Sequence, residues 1–165
     1  MTQEEKQKVY DMALGIDQNS ARASFLRMMK ESDADVELLS DGRFRFKYKD
    51  EMLVIDAPAD GVVMRLYDYS WMGVSRWDVE KVTEVQQRIN TCNITSRARA
   101  VYYFDDESDE MLVSGELVAP LSDKLKEVEA YFAAQLDVLL DLHMIADGMT
   151  ENDIEENDDE GNDEN

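Results

Sequence analysis

The segment VELLSDGRFRFKYKDEMLVIDA, residues 36–57, constrains the fold most, because apolar and polar residues alternate along it with a period of two. That period is typical of strands whose side chains point alternately to the two faces of a sheet. Asp41-Gly42 lies between two alternating runs, which is typical of a hairpin, and Lys49-Asp50-Glu51 predicts a second turn. The segment therefore predicts three antiparallel strands joined by two short turns.

Helical spacing precedes these strands. Thr2 and Glu5 have the spacing of a capping box before an apolar helix at 2–16. Ser20 can cap a second helix that carries Phe25 inward. We therefore expect two helices ahead of the sheet.

A further strand and a helix follow. Residues 62–71 predict a fourth strand, and Asp78 is placed to cap a helix beyond it. Helical spacing puts one set of apolar residues on a single inward face of that helix: Val79, Val82, Val85, Ile89 and Cys92.

The stretch VYYFDDESDEMLVSGEL contains five carboxylates within six positions, between two alternating apolar runs. We predict strands at 97–104 and 111–118, and we interpret Asp105–Glu110 as a solvated turn between them. Calcium sites of the EF-hand type need glycine at the sixth loop position, where this stretch has Glu110, so no metal site is predicted. A long final helix follows Pro120 and ends at Gly148.

The predicted order is αα-βββ(β)-α-ββ-α, which indicates an α+β protein. In this class an antiparallel sheet is packed mainly on one face by helices. We predict a single domain over residues 1–148. Residues 149–165 hold nine acids and no base, which predicts a disordered acidic tail.

The charge distribution excludes two classes of partner. The net charge is −21, and all 17 lysines and arginines precede residue 127. Nucleic acids and anionic membranes bind surfaces with a surplus of positive charge, so we predict neither as a partner.

Two features of the sequence predict the compartment. The N-terminus has no signal-peptide pattern, and the lone Cys92 cannot form an internal disulfide, so we expect a cytoplasmic protein.

Catalytic and cofactor motifs are not found. The single histidine, His143, lies late in the final helix, where we interpret it as a helix-end residue facing the negative end of the dipole. Cys92 is interpreted as a small core residue. No glycine-rich phosphate loop and no metal-binding motif occurs, so the sequence predicts a protein that is not an enzyme and has no cofactor.

Two sets of residues are candidates for partner binding. Alternation predicts that four cations project from one sheet face, either as a positive patch or paired across strands with Glu37, Glu51 or Glu116. These cations are Arg43, Arg45, Lys47 and Lys49. The second set is Trp71, Met72 and Trp77, which would be core residues if buried and partner anchors if exposed.

The run RINTCNITSRARAVYYFDDESDEMLVSGELVAP resembles the bacterial YbjN-type family of sensory-transduction regulators. Ile89, Asn90 and Asn93 match the family's Ile-Asn…Asn helix end, and DGRFRFKYKDEMLVIDA resembles its hairpin. The likeness covers about residues 20–145, outside the helix predicted at 2–16. It implies a fold like that of type III secretion chaperones, a homodimer, and binding of an extended segment of another protein.

Residues and resemblance together predict a non-enzymatic interaction protein, chaperone-like or regulatory. It would bind a protein or peptide segment through a sheet edge or an apolar groove. The alternative is a sensor domain that binds a small molecule or a metal.

Overall fold

The computed structural model describes Thr2, Glu4, Phe25 and residues 36–57, 63–121 and 127–149. Within these ranges lie six strands, two α-helices and one 3₁₀ helix. The strands are β1 (Val36–Leu38), β2 (Phe44–Tyr48), β3 (Glu51–Asp56), β4 (Val63–Ser75), β5 (Arg99–Asp105) and β6 (Glu110–Pro120). The helices are α1 (Val79–Thr95), α2 (Val128–Leu140) and the 3₁₀ helix (Asp141–Ala146).

The six strands form one antiparallel sheet in the order β1-β2-β3-β4-β6-β5. Strands β1 to β4 follow one another as hairpins. From β4 the chain crosses through α1 to β5 and returns as β6 between them. The α+β prediction with an antiparallel sheet is confirmed.

The two predicted hairpin turns are present. Gly42 has a φ of 86°, which glycine adopts without strain, and its N–H donates to the Leu39 carbonyl at 3.0 Å. Lys49 and Asp50 both have positive φ, as a two-residue type I′ turn requires. Glu51 was predicted within this turn, but it is the first residue of β3 and pairs with Tyr48.

The sheet buries alternate residues of β2, which explains the period of two. Phe44 and Phe46 are buried on the helix-bearing face, while Arg45 and Lys47 are exposed on the other. Strand β4 was predicted to end at residue 71 but continues to Ser75, because it resumes its pairing with β6 after an irregularity between Asp68 and Met72.

Helix α1 begins where predicted, since the Asp78 carboxylate accepts the Lys81 N–H at 3.0 Å. Four of its five predicted inward residues are buried: Val82, Val85, Ile89 and Cys92. Val79 was predicted inward but is exposed, because it lies in the first turn beyond the edge of the packed face.

The last helix differs from its prediction. Helix α2 stops at Leu140, and the chain tightens into the 3₁₀ helix, whose Leu142 and Ile145 are buried against the sheet. Gly148, with a φ of 78°, follows as predicted. Met149 packs against the core, so the acidic tail predicted from residue 149 can begin only after it.

Among the described residues that precede β1, Phe25 is the one that lies in the core. Its side chain is fully buried, and its ring lies 5.3 Å from Phe46 and 5.2 Å from Phe132, measured between centroids. Apart from Thr2, Glu4 and Phe25, the two helices predicted before β1 lie outside the described residues, as do residues 150–165. Phe25 thus joins β2 to α2 in one aromatic cluster.

We expect Phe25→Ala to lower the free energy of unfolding by about 3–5 kcal/mol, because it leaves a cavity between two rings. Urea denaturation measures this change. Trp77→Ala is the matched control, since the Trp77 side chain is an aromatic that is 74% exposed and its loss leaves no enclosed cavity. Equal losses in the two variants would contradict the placement of Phe25.

Candidate functional site

The four cations predicted on one sheet face do not form a free positive patch. Arg45 pairs with Glu37 across β1 and β2, and Lys47 pairs with Asp50 at 3.0 Å. Arg43 pairs with Asp41, and its guanidinium also donates to the Tyr69 hydroxyl at 2.6 Å. The alternative interpretation, pairing across strands, therefore describes Arg45.

Lys49 departs from the predicted placement. Because it lies in the β2–β3 turn with positive φ, its side chain reaches the helix-bearing face and contacts Asp137 of α2 at 2.7 Å. Tyr48 donates to the same carboxylate oxygen at 2.8 Å. The hydrogen bond from Lys49 lowers the pKa of Asp137, and the same contact raises the pKa of Lys49.

The three candidate anchors have three different environments. Met72 is a core residue with 1% exposure, and Trp71 is partly buried. Trp77 is 74% exposed and lies under the Arg76 guanidinium, 5.7 Å from the ring centroid. Only Trp77 has the exposure that a partner anchor needs.

Strand β5 is an edge of the sheet and carries an unusual exposed sequence. Four consecutive residues, Val101–Phe104, are 39–47% exposed although all are aliphatic or aromatic. Because consecutive side chains of a strand alternate, both faces of β5 are apolar and exposed at this end. Among the described residues β5 pairs with β6 alone.

The outer edge of β5 is closed at Ala100. The Asn93 side chain accepts the Ala100 N–H at 2.8 Å and donates to its carbonyl at 2.9 Å. Both backbone groups of Ala100 therefore face away from β6, towards α1. Asn93 is one of the residues that carry the YbjN-type resemblance, and here it occupies the position of a neighbouring strand.

The outer edge of β5 is open at Tyr102 and Phe104, two and four residues after Ala100. Since β5 has no bulge, the backbone groups of Tyr102 and Phe104 face the same way as those of Ala100. Within the described part of the chain, no hydrogen bond reaches these two N–H and two C=O groups. They form a short, apolar, unpaired edge.

Contacts within the chain hold the open edge on both faces. On one face the Tyr103 hydroxyl lies 3.0 Å from Ser70 Oγ. On the other the Arg76 guanidinium lies over the Phe104 ring at 5.5 Å, and the Tyr102 ring meets Phe104 edge-on. Each aromatic side chain of β5 thus has a contact within the chain.

The acidic turn anchors the end of β5. Asp105 Oδ2 accepts the N–H and hydroxyl of Ser108 at 2.9 and 2.7 Å, which lowers the pKa of Asp105, and Arg76 pairs with Asp106 at 2.7 Å. The prediction of a fully solvated turn is wrong for Glu110, which begins β6 with its side chain only 2% exposed.

The opposite edge of the sheet differs sharply. Strand β1 has three residues, and its outward Glu37 pairs with Arg45. Short length and charged side chains are common devices against edge-to-edge association. Strand β5 has neither device between Ala100 and Phe104.

Comparison with protein-family models, curated proteins and solved structures returned no match. No family is shown. The resemblance to the YbjN-type family and its chaperone-like fold therefore remain predictions. Among the described residues, no helix is long and apolar enough to cross a bilayer.

A second cluster lies under the 3₁₀ helix. His143 Nε2 is 2.7 Å from Oδ2 of Asp68, and His143 Nδ1 is 4.0 Å from Oε1 of Glu51. The imidazole stacks on Trp71 with ring centroids 4.3 Å apart. His143 was predicted to face the negative end of its own helix, and in the structure its ring instead contacts side chains of two strands.

A groove of about 470 Å³ separates α1 from the 3₁₀ helix. Arg88, Cys92 and Met144 are among its lining residues. Burial raises the pKa of the Cys92 thiol, which agrees with its interpretation as a core residue. Arg88 donates to the carbonyls of Ile145 and Asp147 and so ties the two walls together.

Strand β5 was predicted from the sequence, but two contacts were not. One is the pair of hydrogen bonds from Asn93 to the backbone of Ala100, and the other is the contact of Asp68 with His143. The Asn93–Ala100 contact spans seven residues at a helix–strand junction, and asparagine at the end of a helix was its only signal. Asp68 and His143 are 75 residues apart, and nothing in either neighbourhood marks the pair.

We expect Asp137→Asn to lower the free energy of unfolding slightly at pH 7 by removing the contact of α2 with Lys49. Because folding lowers the pKa of Asp137, its contribution is complete above the unfolded value of about 3.9. It disappears as the pH falls through the lower folded value. Urea denaturation between pH 7 and pH 3 should show the two proteins converging.

Asp50→Asn is the matched control, because it removes an almost fully exposed carboxylate of the same turn and asparagine tolerates positive φ. If Asp137→Asn equals the wild type at every pH, the contact adds no stability.

Proposed function

We propose that the protein is a non-enzymatic interaction protein that works by strand addition at the open edge of β5, where the added strand comes from a second copy of the same chain. The observation that carries this proposal is the pair of residues Tyr102 and Phe104, whose backbone groups face outward between exposed apolar side chains. In strand addition, main-chain hydrogen bonds supply affinity and alternate side chains supply specificity. The chaperone-like resemblance implies the same mode of action.

The occupant that fits this edge is β5 of a second copy. In an antiparallel pair with Tyr103 on the twofold axis, Tyr102 of each copy lies opposite Phe104 of the other. The outward backbone groups of both residues then bond across the interface, and Asn93 stays on Ala100. Aromatic pairs across strands contribute about 0.2–1 kcal/mol each.

The charges next to the edge support the same pairing. Arg97 precedes strand β5 and Arg99 begins it. At the other end Asp105 is the last residue of the strand, and three more acids follow it in the turn, Asp106, Glu107 and Asp109. Antiparallel pairing sets the basic start of each strand beside the acidic turn of the other. Arg99 is 69% exposed, and its guanidinium lies 4.0 Å from its own Glu116, so it remains available to a second carboxylate.

A twofold interface of this kind makes a homodimer with a continuous twelve-stranded sheet, twice the six strands of one copy. The open edge is then covered, and the exposed aromatic side chains of β5 extend across the junction on both faces. In this proposal the protein works as an assembled interaction module in the cytoplasm.

Disulfide trapping tests the pairing and its register. On the axis, the two copies of residue 103 form a non-hydrogen-bonded pair with Cα atoms about 4.5 Å apart, which suits a disulfide. We expect Tyr103→Cys to form a covalent dimer on mild oxidation. Tyr102→Cys should not, because each residue 102 lies opposite residue 104.

Val118→Cys is the matched control, since Val118 is exposed on the neighbouring strand β6 away from the edge. Buried Cys92 supplies the background in all variants.

A charge reversal tests the same interface by light scattering. We expect Arg99→Glu to raise the dimer dissociation constant about tenfold, because the new glutamate would lie beside the acidic turn of the other copy, and this repulsion occurs twice in each dimer. A monomeric wild type, or equal trapping at residues 103 and 118, would overturn the self-pairing.

A further inference from the structure

The cluster of Glu51, Asp68 and His143 brings together side chains from β3, β4 and the 3₁₀ helix. One ligand atom from each residue lies within 4.8 Å of the other two. Two carboxylates and one imidazole are a donor set that metal ions use in proteins. No motif in the sequence connects these residues, and the interaction surface on β5 does not include them.

Local structure fixes the position of each ligand. Asp68 is the last residue of β4 before the irregularity in its pairing with β6, and it is directed to the helix-bearing face. The neighbours of His143 on the 3₁₀ helix, Leu142 and Ile145, are buried. Gly115, the β6 partner of Asp68, lets the 3₁₀ helix approach, because a Cβ there would lie 2.9 Å from Leu142 Cδ1.

Burial makes the negative charge of the cluster costly without a cation. The Asp68 side chain is only 3% exposed, and a buried carboxylate requires a partner. His143 supplies one contact through Nε2, and a second carboxylate, that of Glu51, has its Oε1 4.0 Å from the ring's Nδ1. Glu51 and Asp68 are both carboxylates, whose combined negative charge a divalent cation would neutralise.

Exposure gives a cation access to the cluster. The side chains of His143 and Glu51 are 29% and 42% exposed, so the cluster opens to solvent on one side. In a tetrahedral site with bonds of about 2.0–2.2 Å, ligand atoms are roughly 3.3–3.5 Å apart. To reach that range, Glu51 would move towards the other two ligand atoms, and the 2.7 Å contact between Asp68 Oδ2 and His143 Nε2 would lengthen to admit the ion.

We propose that Glu51, Asp68 and His143 bind a divalent transition-metal ion, with Zn²⁺ as the preferred ion. Imidazole favours Zn²⁺ over Mg²⁺ and Ca²⁺, which take six or more oxygens. Three protein ligands leave the fourth tetrahedral position to water. The bound ion would connect the 3₁₀ helix to two strands of the sheet.

Trp71 provides a local readout because it stacks on His143. In the full-length Trp77→Phe protein, Trp71 is the only tryptophan. We expect Co²⁺ to quench its emission saturably and to give a visible d–d absorption band of a low-coordinate site. Added Zn²⁺ should displace Co²⁺ and restore the emission.

Glu51→Gln is the decisive variant, because this half-exposed side chain can change without disturbing the core. We expect it to weaken Zn²⁺ binding at least about tenfold, and Asp68→Asn to do the same if it folds. Glu116→Gln is the matched control, since Glu116 is also a strand glutamate and its side chain is 40% exposed. It should bind Zn²⁺ as the unchanged protein does.

Two results would overturn the proposal. One is Trp71 emission that does not respond to Co²⁺ or Zn²⁺. The other is equal Zn²⁺ affinity in the Glu51→Gln and Glu116→Gln proteins, which would assign binding to other carboxylates, such as the nine acids of residues 151–165.

Discussion

The irregularity of β4 between Asp68 and Met72 is the constraint on which both proposed sites depend. Ser114 of β6 lies opposite three residues of β4, because Asp68 pairs with Gly115 and Met72 with Val113. The extra residues bend the strand, as bulges do. Ser70 takes a φ of 50°, and its N–H donates to Ser114 Oγ at 2.9 Å, which satisfies a backbone group removed from the ladder.

This bulge has a consequence on each face of the sheet. On the helix-bearing face it leaves Asp68 and Trp71 beside His143. On the other face Ser70 contacts Tyr103 and supports the exposed end of β5. A regular β4 would have one residue opposite Ser114 in place of three. Either the β5 edge would then lose the contact of Ser70, or the metal-site cluster would lose the contact of Trp71.

Much of the fold could be predicted because it follows from local patterns. Alternation along residues 36–57 predicts the hairpins, and Asp78 marks the start of α1, since each depends on neighbouring residues only. The bulge could not be predicted in this way, because YDYSWM contains no glycine and Ser70 adopts a conformation that its residue type does not favour. The switch to a 3₁₀ helix at Asp141 also depends on distant packing, through Leu142 and Ile145.

The candidate sites show the same division. The strand β5 was predicted from its sequence, but its exposure was not, since four adjacent apolar residues also fit a strand that is buried on both faces. The open part of its edge depends on Asn93, a contact that only the helix–strand geometry reveals. The cations of β2 were predicted correctly as strand residues, but Lys49 reaches the helix side because a turn residue does not obey the alternation.

The net charge of −21 raises the question of how two copies could associate. Salt screens interactions between exposed charges beyond about 8 Å at physiological ionic strength, so charges near the edge decide the balance. Residues 100–104 carry no charge, and the acidic turn beyond them would lie beside Arg97 and Arg99 of the second copy. An acidic protein can therefore pair with itself at β5, where its local charges are neutral or complementary. On β1, by contrast, the one charged residue, Glu37, already pairs with Arg45 of β2.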